Sequence, residues 1–116
     1  MNDGKFPEII TSLPQAEISM EGVQAWIAQG RDFQIVFFEI EPTGVVPPHS
    51  HSAQWGIVVE GEMSLTIAGE TKRYKKGDNY FIPEGVIHQA EFHTHFRALD
   101  FFADSERYTP KKSNSY

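Results

Sequence analysis

The chain has 116 residues, no cysteine and a formal net charge of -6. Its length suits one domain with a single core, and its 40% hydrophobic and 22% charged residues are typical of a globular protein. The negative charge argues against a nucleic-acid partner, and the lack of cysteine excludes disulfides and thiolate chemistry. Neither a signal peptide nor an apolar run of membrane-spanning length is visible, so we expect a cytoplasmic protein with no membrane partner.

The first forty residues predict an N-terminal extension followed by two strands. Residues 1–20 contain Pro7 and Pro14, and we expect them to wrap around the domain or to lie at an interface. Strands are predicted at 22–28 and 33–41, where β-branched and aromatic residues are frequent. The second strand is apolar on both faces, which indicates cover by the core on one side and by a second subunit on the other. We therefore expect a homodimer.

The remaining chain predicts further short strands separated by glycine turns. The predicted strands are at 57–59, 63–67, 71–76 and 80–82, with a last apolar stretch at 89–103. No amphipathic helix is evident, and residues 105–116 are polar enough to predict a C-terminal tail. Many short strands with frequent turns predict an all-β sandwich or barrel occupying residues 21–104.

Three histidines predict a metal site. His49 and His51 are two residues apart in an extended segment, so both imidazoles point to the same side. A transition metal needs at least one further ligand, and His88 follows a turn at Pro83-Glu84-Gly85 that redirects the chain across the sheet. The alternative is that all three are solvated or core histidines. We expect one divalent transition metal ion (Zn, Ni, Fe, Mn or Co), since ligand type alone does not select among these ions.

Gln54 is the fourth candidate ligand. An amide oxygen is a neutral, modest ligand. Gln54 would therefore either bind the metal directly, hydrogen-bond a metal-bound water, or orient a neighbouring histidine. A site with neutral ligands keeps the full positive charge of the ion, which favours an anionic organic ligand.

These motifs resemble the two signatures of the cupin superfamily. Gly77, five residues, Pro83, one residue, Gly85, two residues and His88 fit the second signature, although Phe92 replaces its final Asn. The first signature is less regular, because only four residues separate Gly44 from His49 and Gln54 stands in place of the expected acid. The resemblance covers roughly residues 20 to 104. It implies a small single-domain cupin with a double-stranded β-helix, or jelly-roll, barrel and with Gln54 at the position of the fourth ligand.

Two functions follow from this resemblance. The first is a metal-dependent enzyme acting on a small anionic molecule such as a sugar acid or carbonyl compound, by isomerase, lyase, hydrolytic or dioxygenase-type chemistry. His93, Tyr80 or Glu91 would then move a proton. For His93 and Glu91 the alternative is a solvent-facing side of a strand, and for Tyr80 it is a place in the core. The second function is a cupin that binds or senses a small molecule without turnover.

Overall fold

The computed structural model describes residues 5–42 and 44–112, and within them it shows nine strands and one short helix. The helix is α1 (Glu8–Thr11), and the strands are β1 (Val23–Gln29), β2 (Gln34–Ile40), β3 (Val45–His49), β4 (Gln54–Glu60), β5 (Glu62–Ile67), β6 (Glu70–Lys75), β7 (Asn79–Ile82), β8 (His88–Phe92) and β9 (Phe96–Phe102).

The strands form two antiparallel sheets, which confirms the all-β jelly-roll prediction. The first sheet has the order β1-β2-β9-β4-β7, and the second has the order β3-β8-β5-β6. In β2 buried and half-buried residues alternate strictly, because successive side chains point to opposite faces of a strand. The inward residues of the two sheets form one core, in which Phe96, Phe102 and Ile82 are among the largest fully buried side chains.

The outer face of β2 is only partly covered by the protein's own chain. The ring of Phe37 makes an edge contact with Phe6 from the N-terminal segment, 5.8 Å between centroids. Ile35 is paired with Phe101 on β9, and Phe101 stacks on Phe33 at 4.9 Å but is still 37% exposed. The two apolar faces predicted from the sequence are therefore present, and one end of the outer face is open.

The segments before β1 and after β9 pack against each other. Isolated bridges join Gln15 to Trp26 and Ala16 to Pro110, so the N-terminal extension lies along β1 and meets the end of the chain. Residues 105–110, which composition assigns to a polar tail, make contacts such as the hydrogen bond from the Tyr108 N–H to Oε1 of Gln34. In the described part of the chain, no helix has the length and hydrophobicity needed to cross a bilayer.

Candidate metal centre

The imidazoles of His49, His51 and His88 meet at one end of the barrel, as the sequence predicts. One ring nitrogen from each residue lies within 4.8 Å of the others. His49 is the last residue of β3 and is paired directly with His88, the first residue of β8. His51 lies in the connection between β3 and β4, so the extended strand expected to carry both His49 and His51 ends at the first of them.

A β-bulge aims His49 at the site. Between the pairs Val46–Ala90 and His49–His88 the register shifts, because β3 advances three residues while β8 advances two. The extra residue falls at Pro47-Pro48, and it turns His49 to the same face as His88. Prolines lack the N–H group that a central strand needs, and they are tolerated here because β3 is an edge strand of its sheet.

Backbone carbonyls fix the protonation of all three rings. Nδ1 lies 2.9 Å from Pro47 O in His49, 2.7 Å from Ser52 O in His51 and 3.0 Å from Val86 O in His88. A carbonyl oxygen can only accept a hydrogen bond, so each Nδ1 carries the proton. Each Nε2 of the neutral ring is then left with its lone pair, which is the form of histidine that binds a metal.

The rings of His51 and His88 are held in this neutral form by burial. Burial, assisted by repulsion from Arg107, lowers the pKa of His51 to about 4. Burial also lowers the pKa of His88, and the neighbouring His49 adds to the effect. The Nε2 atoms of His51 and His88 face each other at 3.1 Å. Two nitrogen ligands at about 2.0–2.1 Å from one tetrahedral ion would lie about 3.3 Å apart, so the site fits a bound cation.

Comparison with known proteins identifies the family of this chain. Residues 36–102 match the sequence model of the cupin domain. The chain belongs to the cupin family. A search of curated proteins finds no match.

Solved structures show the same cupin fold. The chain is 27% identical to KdgF from a Halomonas species. The match covers 79% of this chain and 88% of KdgF, with a TM-score of 0.71. An RmlC-like cupin from Shewanella frigidimarina is 24% identical over 92% of this chain and 94% of its own, with a TM-score of 0.74. An oxalate decarboxylase variant from Bacillus subtilis is 19% identical over 83% of this chain and 28% of its own, with a TM-score of 0.71.

Gln54 lies beside the histidines and is hydrogen-bonded to a buried carboxylate. Its Nε2 donates to Oδ1 of Asp100 at 2.8 Å, and both residues line the same cavity as the three histidines. The hydrogen bond engages the amide nitrogen and leaves Oε1, the atom that could bind a metal, outside this contact. Direct ligation by Gln54 stays a prediction.

Asp100 and Tyr80 form a polar pair inside the barrel. The Tyr80 hydroxyl donates to Oδ1 of Asp100 at 2.8 Å, so this oxygen accepts from both Tyr80 and Gln54. Burial raises the pKa of Asp100 to about 6. Burial, together with the charge of Asp100, raises the pKa of Tyr80 well above its usual value, so its hydroxyl stays protonated.

Gly56 makes this pair possible. It lies between Tyr80 on β7 and Asp100 on β9 in the register of the sheet. A Cβ atom at this position would lie 2.1 Å from Oδ1 of Asp100 and 2.4 Å from the Tyr80 hydroxyl oxygen. Only glycine leaves room for the hydrogen bond to cross β4.

The histidines, Gln54, Tyr80 and Asp100 share a cavity of about 580 Å³ with residues from the end of the chain. Arg107 and Tyr108 line it beside the histidines, and the Arg107 guanidinium lies over the Tyr108 ring at 4.4 Å. The Nε atom of Arg107 is buried and has no hydrogen-bond partner. This end of the cavity therefore carries a fixed positive charge with a free donor.

Two of the three predicted proton-transfer residues lie away from the cavity. Nε2 of His93 contacts the Ser64 hydroxyl at 2.7 Å, and Ser64 is on the outward side of β5. Glu91 is exposed on the outward side of β8. Successive side chains of a strand point to opposite faces, so Glu91, three residues after the inward His88, points outward. His93 lies just beyond the end of β8. Of the three, only Tyr80 lines the cavity.

Proposed function

We propose that this cupin is a metal-dependent enzyme acting on a small anionic organic molecule. The observation that supports the proposal most strongly is the convergence of three Nε2 lone pairs, each fixed by an Nδ1–H donated to a carbonyl. His49, His51 and His88 would hold one divalent transition metal, with Gln54 as a possible fourth ligand through Oε1. When bound, such an ion supplies Lewis-acid polarisation of a substrate carbonyl or carboxylate oxygen.

Arg107 would bind the anionic group of the substrate. Its buried Nε lacks a partner, and its guanidinium lies over the ring of Tyr108 at 4.4 Å and over that of Phe102 at 5.6 Å from the centroid. A planar guanidinium can donate two parallel hydrogen bonds to a carboxylate. The charge of Arg107 would orient the substrate before any proton moves.

Asp100 would be the group that moves a proton. Both of its hydrogen bonds go to Oδ1, so Oδ2 would be available to accept a proton from the substrate and return it. A pKa of about 6 makes the carboxylate largely ionised at neutral pH and a better base than an ordinary aspartate. Tyr80 and Gln54 would position it, since each donates to the same oxygen. This role replaces the one expected for His93 and Glu91, which lie outside the cavity.

One of the similar solved structures is an oxalate decarboxylase variant, which by its name acts on a small organic acid, although its 19% identity shows the fold alone. The fold is also shared with a salicylate 1,2-dioxygenase variant solved with gentisate, a small organic acid, although its 20% identity shows the fold alone. Proton abstraction next to a polarised carbonyl is the step that needs the fewest groups beyond those in the cavity.

A test combines metal content with proton exchange. The purified protein would be loaded with metal and incubated with oxo acids and sugar acids in deuterated water, and exchange of the proton next to the carbonyl would be followed by NMR. We expect exchange in the wild type, loss of exchange with retained metal in Asp100→Asn, and loss of both in His88→Ala. Metal binding without exchange of any substrate would favour the binding or sensing alternative.

We also propose that the open outer face of the first sheet forms a homodimer. Paired positions place Ile35, Phe101, Trp55 and Phe81 in one row across β2, β9, β4 and β7. Phe81 is 58% exposed, which is unusual for a large aromatic residue in a sheet. An uncharged apolar row suits association with a second copy, because it can be buried without removing a charged side chain from water.

A further inference from the structure

The cavity has one polar end and a long apolar remainder. Apart from its polar lining residues, its walls are formed largely by apolar side chains, among them Phe38, Ile40, Met63, Leu65 and Phe92. Protein interiors are normally packed with few voids, and an apolar void reduces stability. A volume of about 580 Å³ is instead typical of a site for a small molecule.

Two alanines keep the apolar part open. Ala90 on β8 and Ala98 on β9 occupy inward positions on opposite sheets, and both line the cavity. Their neighbours in register are larger, since Ala90 pairs with Leu65 and Ala98 pairs with Phe38. Larger apolar residues at positions 90 and 98 would fill the core, so the two alanines leave the space between the sheets open.

We infer that the ligand is a carboxylate with an apolar body, such as a branched aliphatic or aromatic acid, rather than a polyhydroxylated sugar acid. This inference rests on the proposed function for the anionic group, which Arg107 and the metal end would hold. The body would extend between Ala90 and Ala98. Hydroxyl groups on the body would lose their hydrogen bonds to water and find no partner on the apolar walls, which disfavours sugar acids.

The polar residues at the far side of the cavity do not alter this conclusion. Glu17, Ser19 and Thr109 line the cavity but are exposed, and the N–H of Glu17 donates to Thr109 O at 2.7 Å. They mark the rim, where the N-terminal and C-terminal segments meet. Glu17 is an acid, so the rim also disfavours a second anionic group on the ligand.

The test is a calorimetric titration of the nickel-loaded and the metal-free protein with acetate, butyrate, hexanoate and glucuronate. All four ligands carry one carboxylate, so they differ only in the part of the molecule attached to it. We expect affinity to rise by about fourfold per added methylene from acetate to hexanoate, and glucuronate to bind more weakly than hexanoate. Equal affinity for acetate and hexanoate, or tighter binding of glucuronate, would overturn the inference.

A pair of variants locates the body. Ala98→Leu adds a side chain inside the cavity, whereas Ala103→Leu makes the same change at an exposed position just after β9. We expect Ala98→Leu to remove the advantage of hexanoate while acetate binds within about twofold of the wild type, and Ala103→Leu to leave the whole series unchanged. Hexanoate binding that survives Ala98→Leu in a folded protein contradicts the placement. If Ala98→Leu does not fold, the wild-type series still decides.

The outcomes separate this inference from the proposed function. Acetate bound one to one with no gain for hexanoate leaves the anion site intact and refutes only the apolar body. A rising series in a protein that takes up none of nickel, cobalt, zinc, iron and manganese refutes the metal centre and leaves the apolar body standing. Binding of none of the four acids counts against both.

Discussion

Replacing the buried Asp100 by asparagine should stabilise the protein at neutral pH. Asp100 is only 2% exposed, and burial raises its pKa from 3.8 to about 6. Asn keeps an oxygen that accepts from Tyr80 and Gln54 but carries no charge. Because each pKa unit corresponds to about 1.4 kcal/mol, ionisation of Asp100 in the folded protein costs about 3 kcal/mol at pH 7.

The sign of the pH dependence follows from the raised pKa. Between pH 3.8 and about 6 the folded protein keeps a proton on Asp100 that the unfolded chain has lost. The stabilisation from this proton is fully present below pH 3.8 and is lost as the pH rises through about 6. Asp100→Asn should therefore equal the wild type near pH 4 and exceed it by roughly 2–3 kcal/mol at pH 7, or about 8–12 °C in Tm.

The assay is urea unfolding of EDTA-treated wild type and Asp100→Asn from pH 4 to 8. The difference between the two cancels the opposite contribution of His51 and His88, whose lowered pKa values make stability rise over part of the same range. Asp32→Asn, at an exposed position, is the control and should show no such trend. A difference between Asp100→Asn and wild type that stays constant or shrinks from pH 4 to pH 7 would refute the reasoning.

Three further predictions concern Gly56 beside Asp100, the histidine His51, and the outer face of the first sheet. Gly56→Ala should lower the unfolding free energy by about 3–5 kcal/mol, because the added Cβ overpacks the site and breaks the hydrogen bond from Tyr80 to Asp100. As a control, Gly44→Ala should change the unfolding free energy by less than about 0.5 kcal/mol, since its Cβ would meet its nearest neighbour at 3.6 Å. Urea unfolding measures both variants. Because burial lowers the pKa of His51 to about 4, its imidazole should stay neutral down to pH 5 in the metal-free protein, and an NMR titration of His51 with a midpoint near pH 6.5 would contradict this. Phe81→Glu should reduce the mass in light scattering from a dimer to 13.2 kDa, and a wild type that is already monomeric at micromolar concentration would refute the dimer.

The sequence was sufficient to predict the histidine site. His49, His51 and His88 converge because turns and strand pairing bring their segments together, and the spacing around Pro83 and Gly85 already indicates this. The local structure differs from the regular extended segment that was predicted, because a bulge at Pro47-Pro48 turns His49 inward. A bulge changes the alternation of apolar and polar residues very little, so its position could not be predicted from the amino-acid sequence.

Asp100 and Arg107 show two different limits of sequence reasoning. Asp100 shares inward parity with Phe96, Ala98 and Phe102, and a charged residue in that apolar series is a signal that could have identified it. Arg107 follows the last strand in a polar stretch, and its place in the cavity depends on contacts between the two chain ends. No periodicity within that stretch encodes such a contact.

The most direct test of the metal centre is elemental analysis of protein dialysed against nickel, cobalt, zinc, iron or manganese. We expect one ion per chain in the wild type for at least one metal, and less than a tenth of that in His88→Ala, with circular dichroism showing the same sheet in both. As a control, His93→Ala, which changes a histidine outside the cavity, should keep one ion per chain. Equal metal content in the wild type and His88→Ala, or no uptake of any of the five metals, would contradict the central claim.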